Sequence, residues 1–152
     1  MYASLRKAYE TSGTGLDKIR AIAQSYYLFY QENKNYFELI LRFEINIYAY
    51  HKTLTEDEHG FYVVECQKAN DAITDTLIEA VKNGIEDGSI KTSLAPKHLM
   101  LLIWAQTLGV MQVITMRHKY FDEFYELTPE QFFSYFMSSI GLSLTHQNNT
   151  VL

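Results

Sequence analysis

Apolar positions recur every three or four residues along most of this chain, which is the period of a helix and not of a strand. Leu16, Ile19, Ala23, Tyr26 or Tyr27, and Tyr30 mark one such face. Thr14 stands before it as an N-cap, with Asp17 three residues on to complete a capping box. Residues 1–10 form a shorter amphipathic helix, broken by "TSGTG" at 11–15. The polar run "QENKN" at 31–35 interrupts the pattern. "YFELILRFEINIYAYH" at 36–51 then predicts a helix apolar over most of its circumference, with Glu38 and Arg42 paired on one exposed strip. Such a helix belongs inside the protein.

Thr55-Glu56-Asp57-Glu58 is a capping box that opens the longest helix, and its acids complement the helix dipole. Phe61, Val64, Ala69, Ala72 or Ile73, Leu77, Ala80 or Val81, and Ile85 give that helix one apolar face. It stops at Asp87-Gly88, with Gly88 as the left-handed glycine. Pro96 suits the first turn of the next helix, which runs to about Tyr120. "DEFYEL" at 122–127 reads as a connection. Thr128-Pro129-Glu130-Gln131 combines an N-cap, a first-turn proline and a reciprocal glutamine, and Leu127 and Phe132 are spaced as a hydrophobic staple. Phe133, Phe136 or Met137, Ile140 and Leu144 carry the last helix, and 145–152 reads as a frayed tail.

The expected fold is all-α, one domain over residues 1–152, a bundle of five to six helices. The helices at 99–119 and 129–144 are too apolar for a lone small domain. Their excess faces predict an isologous contact between two copies of the chain. Residues 99–116 carry no charge and reach the lower edge of a membrane-spanning length, but Gln106, Thr107, Gln112 and Thr115 interrupt them. They read as a buried helix.

Charge and chemistry narrow the function. The 152 residues carry a formal net charge of −5 and no long basic run, so the chain lacks the footprint of a nucleic-acid-binding surface. Its 47% hydrophobic content excludes general disorder. Cys66 is the only cysteine, so no intrachain disulfide forms; it reads as a buried structural thiol, and the expected compartment is the cytoplasm. Residues 1–10 lack the apolar run of a signal peptide.

Among the histidines (His51, His59, His98, His118 and His146) only Glu56-x-x-His59 has metal-ligand spacing, and the capping box already explains that glutamate. No catalytic residue, metal or cofactor is expected, and a metal-dependent helical enzyme is the weakest reading. Twelve tyrosines and nine phenylalanines are the stronger signal. Tyrosine is an awkward core residue because its hydroxyl needs a partner, so the cluster suggests an apolar pocket with a few polar groups.

Gly84 and Gly88 stand four residues apart in "AVKNGIEDGSI". Gly88 can end a helix, but Gly84 lies within one, where glycine costs roughly 1 kcal/mol relative to alanine. A close approach by another helix would offset that cost. Gly84, Ile85, Gly88, Ile90, Pro96, Ile103, Trp104, Ala105 and Gly109 occur in an order that resembles the C-terminal, effector-binding domain of TetR-family transcriptional regulators. Residues 16–44 resemble the family's helix, break and aromatic restart, with Lys34-Asn35 where a proline is common. "LTPEQFFSYFMSSIGLSL" resembles its last helix.

The resemblance implies a homodimeric sensor that binds an apolar or aromatic effector and then releases operator DNA. The family's helix-turn-helix head has no counterpart in this sequence, and residues 1–10 would be the end of the helix leading to it. The candidate effector residues are Tyr26, Tyr30, Phe43, Tyr48, Phe61, Tyr62, Cys66 and Trp104. The candidate dimer face is Leu108, Gly109, Gln112, Phe132, Phe133, Phe136, Met137 and Ile140. A freestanding helical binder of lipids or similar small molecules, with no DNA role, is the alternative.

Overall fold

The computed structural model describes residues 1–40, 42 and 58–146, with side chains in the long helix described from residue 64 onward. It is an all-α bundle, with no strand among the described residues. The helices are α1 (Tyr2–Thr11), α2 (Gly15–Glu32), α3 (Glu58–Glu86), α4 (Pro96–Arg117), the short α5 (Phe121–Tyr125) and α6 (Pro129–Thr145). Residues 34–40 are helical as well.

The local start signals work as their chemistry requires. The Thr14 hydroxyl accepts from the Asp17 N–H, and the Asp17 carboxylate accepts in return from the Thr14 N–H. Thr128 and Gln131 make the same reciprocal pair at the start of α6, and Pro96 and Pro129 occupy first turns. The capping box at 55–58 begins outside the described residues. The interruption expected at 31–35 contracts to Asn33 alone, since helix ends at Glu32 and resumes at 34. Asn33 can serve both sides: its N–H and side-chain amide donate to Phe29 C=O, and its own C=O accepts from the Phe37 N–H.

The glycines of the 84–90 run have separate roles. Gly88 takes φ +76°, a backbone conformation that costs glycine little. The Ile90 N–H then donates to Gly84 C=O at 2.8 Å and folds the Ile90 side chain against Gly84. A Cβ on Gly84 would overlap Ile90, and a Cβ on Gly15 would overlap the Gly84 backbone and stand 2.7 Å from Ala80 O. Backbone meets backbone here, at the start of α2 and the end of α3. The loop after α3 also caps α2: the Gly15 N–H donates to Asp87 Oδ2 at 2.7 Å and the Leu16 N–H to Ser89 Oγ at 3.1 Å. Hydrogen bonding by the Ser89 side chain, then by the Gly15 N–H, holds the Asp87 carboxyl below the usual carboxylate range.

Helix α1 lies across α2 and α3. Leu5 and Tyr9 are buried, and Tyr9 Oη accepts from Asn83 Nδ2 at 2.8 Å. Arg6 and Lys18 stand over the Tyr9 ring at 4.9 and 4.5 Å. These contacts, like that of Gly84, lie in the second half of α3. Accordingly Val64 and Ala69, expected on an apolar face, are exposed, and Ile73 is the first buried residue among the described side chains of α3.

Three further expectations change. Cys66 is exposed, not buried. In 34–40 only Phe37 is fully buried, between tyrosine edges, while Tyr36 and Leu39 are exposed. The stretch expected as a connection at 122–127 instead holds a helical turn, α5, closed by Glu126 at φ +53°.

Replacing Gly15 with alanine should destabilise the fold by about 1–3 kcal/mol or more, because the α2–α3 contact is backbone on one side and cannot yield cheaply. Urea unfolding reads this; a change below about 0.5 kcal/mol would mean the contact is not tight. The depressed Asp87 pKa sets a sign as well. Its stabilisation is full above the ordinary aspartate pKa of roughly 4 and is lost as pH falls through the folded value. The Asp87→Asn variant should therefore lose less stability than the parent on acidification below about pH 4.

Candidate aromatic cavity and exposed helix faces

Helix α2 begins at the Gly15 contact, and its register from there points Tyr26, Tyr27 and Tyr30 into the bundle, all nearly inaccessible. Tyr26 meets Phe37 edge-on at 5.6 Å between ring centroids and Trp104 of α4 at 5.4 Å. Tyr30 meets Phe37 at 5.0 Å. Tyr27 stacks on Phe133 of α6 at 4.2 Å with an interplanar angle of 12°. These aromatic contacts join α2 to α4, α6 and the 34–40 helix.

A cavity of about 20 Å³ lies beside Tyr26 and Trp104. Leu5 of α1, Ala23 of α2, Leu77 of α3 and Thr107 of α4 also line it, and no charged side chain does. The Thr107 hydroxyl donates to Ile103 C=O at 2.8 Å, so its proton is used within α4. The space is that of roughly one water in a wall that offers water almost nothing, so an occupant must be apolar and must widen it.

Tyr27 links α2 to α6 by a second route. Its hydroxyl donates to Glu130 Oε1 at 3.3 Å, and Gln31 Nε2 donates to the same oxygen at 2.9 Å. Burial first, then the Glu130 charge, raises the Tyr27 pKa. The Glu130 carboxyl is lowered, by its own backbone N–H first and by Thr128, Tyr27 and Gln31.

Of the effector residues expected from sequence, Tyr26 and Trp104 line the cavity, and Tyr30 stands behind them against Phe37. Cys66 is exposed and does not line it. Phe43 and Tyr48 lie outside the described residues, as do the side chains of Phe61 and Tyr62. Leu5 was missed in sequence reasoning: only its helical spacing on residues 1–10 could have marked it. Among the described residues, no three His, Cys, Asp or Glu side chains cluster so as to hold a metal ion.

Helix α4 buries one face through Leu99, Ile103, Thr107, Met111 and Ile114. Its opposite face leaves Leu101, Leu102 and Met116 exposed, with Leu108, Gly109 and Gln112 half-buried. Nothing lies within 4 Å of where a Gly109 Cβ would be. Among the described residues, Pro96–Tyr125 is one stretch long and apolar enough to cross a membrane by length and composition, and 28% of its most apolar window is buried. It is less buried than its sequence suggested, because α4 offers the bundle only one side.

On α6, Phe133 and Ile140 face the chain's own core, and Phe132, Phe136 and Met137 pack partly against it. Phe133 is taken by the Tyr27 ring. Outward-pointing Tyr135 and Leu142, each 62% exposed, were not among the expected interface residues.

The chain matches no family model, no curated protein and no solved structure.

Truncating Ile103 to alanine should enlarge the cavity and cost about 2–5 kcal/mol of stability. Saturating benzene should restore part of the loss, as a dry apolar cavity allows. Thermal unfolding with and without benzene reads this, and no recovery would mean that the site collapses or is wet.

Proposed function

We propose that this chain is the ligand-sensing and dimerisation domain of a TetR-like transcriptional repressor, with an apolar or aromatic small-molecule effector. The observation that carries the reading is the shared wall of the cavity. Leu5 of α1 lines it together with Tyr26 and Trp104. In this reading α1 leads to a DNA-reading helix-turn-helix head outside this chain. An effector that widens the cavity presses on α1 through Leu5 and favours a state with a different head spacing. Its effect on operator affinity is bounded by its differential affinity for the two states. The acidic chain itself has no part in reading DNA.

The homodimer is supported by the exposed apolar faces. Leu101, Leu102 and Met116 on α4, and Tyr135 and Leu142 on α6, leave apolar surface that a second copy would cover. Half-buried Leu108, Gly109 and Gln112 fall on the same side of α4, and Gly109 leaves room for a close helix approach.

Two experiments separate these claims. Met116→Asp combined with Leu142→Asp changes exposed positions, so the fold should survive while dimer affinity drops by about a hundredfold, as seen by sedimentation. An unchanged dimer would remove these faces from the interface. Trp104→Ala should weaken binding of the uncharged probe N-phenyl-1-naphthylamine by about tenfold or more and leave dimer affinity within about threefold. Equal loss of both would contradict a dedicated pocket.

A further inference from the structure

A second concavity lies outside the aromatic cavity, between α2 and α6. It is an open groove of about 420 Å³, within the size range of small-molecule sites, lined by Arg20, Ala21, Gln24, Ser134, Met137 and Ser138. Arg20 and Gln24 are one turn apart on α2, as are Ser134 and Ser138 on α6. The groove thus has a polar pair on each helix and an apolar patch from Ala21 and Met137.

The seating of Arg20 is specific. Its guanidinium lies against the backbone of Gly141, where a Cβ would overlap Nη2 and stand 3.2 Å from Cζ. Gly141 is buried within α6, where glycine costs roughly 1 kcal/mol of helix propensity relative to alanine, so space for the guanidinium comes at a local cost. The guanidinium is also weakly matched with acid. Among the described residues its carboxylate neighbour is Asp17, whose Oδ1 stands 4.0 Å from Nη1. Asp17 Oδ2 is committed to Thr14, accepting from its hydroxyl at 2.7 Å and its N–H at 3.2 Å. A guanidinium has five N–H donors in a planar fork suited to a carboxylate or phosphate.

We propose that the α2–α6 groove binds a small organic acid, its carboxylate or phosphate on Arg20 and its carbon skeleton against Ala21 and Met137. Gln24 and Ser134 supply neutral hydrogen-bonding groups at its edges, while the Ser138 hydroxyl donates to Ser134 C=O at 3.0 Å and leaves only its oxygen to the groove. The site is separate from the apolar cavity and stands whether or not that cavity senses an effector.

The test is an NMR titration of the isotope-labelled chain with three probes: inorganic phosphate, acetate and benzoate. Saturable shifts in the backbone amides of α2 near Arg20 and of α6 near Ser134–Gly141 are expected for at least one probe, with a dissociation constant near or below roughly 10 mM. Benzoate binding more tightly than acetate supports a carboxylic acid with an apolar body, while phosphate binding alone supports a phosphate ester. Arg20→Gln should weaken the best probe about tenfold or more, and Gly141→Ala, which displaces the guanidinium, should do likewise. A cation that merely complements the carboxyl end of α6, which has no basic residue in its last turn, would give lower stability in Arg20→Gln and no probe binding in the parent. No saturable shifts with any probe, or shifts unaltered by both substitutions, would overturn the proposal.

Discussion

The start of α2 rests on the end of α3 with only backbone between them, at Gly15 and Gly84. This contact fixes where α2 begins, and the Asp87 and Ser89 caps fix how its first N–H groups are satisfied. From that origin the 3.6-residue period sends Tyr26, Tyr27 and Tyr30 inward. A one-residue shift of α2 would turn those rings by about 100° and dissolve the contacts with Trp104, Phe37 and Phe133. The glycine that looks wasteful inside α3 is therefore tied to the placement of the aromatic centre.

Around that origin the bundle divides its surfaces. α1 closes one side of the aromatic centre through Leu5 and is held by Tyr9, which Asn83 anchors by a hydrogen bond and two cations cover. α4 and α6 close the other side and leave apolar outer faces. The Arg6–Glu79 ion pair is exposed and adds little; burial of Leu5 and Tyr9 does more to fix α1. An apolar guest and a second copy of the chain would thus meet opposite sides of the same helix, α4. That arrangement is what makes a sensor reading of the fold physically coherent.

What was legible in the sequence was mostly local. Thr14 with Asp17, Thr128 with Gln131, Pro96, and Gly88 with its positive φ all act within a few residues of themselves, so their meaning could be read in place. Gly84 was suspected of admitting a neighbour, but Gly15, sixty-nine positions earlier, could not be named as that neighbour. Burial was the least legible property. Val64, Ala69 and Cys66 are as apolar as their buried counterparts on α3, yet among the described residues the contacts with α1 and with the start of α2 fall on its second half. Tyr26 and Trp104 do meet, ring to ring, but α4 is apolar on nearly every side, so its sequence does not mark the face that carries Trp104 as the inner one. Phe133 was assigned to the surface between copies because its partner, Tyr27, comes from a distant helix. The groove at Arg20 left no signal, since it exists only where Gly141 gives way to a side chain from α2.

The most direct test of the central claim, a dimeric sensor of apolar small molecules, is native mass spectrometry of the purified chain, followed by mass measurement of the same sample after denaturation. The account predicts a species of twice the 17.7 kDa chain mass that carries a small adduct, with the adduct released on denaturation. A bare monomer at native-like concentration, with no adduct retained or acquired when uncharged aromatic compounds are added, would contradict it.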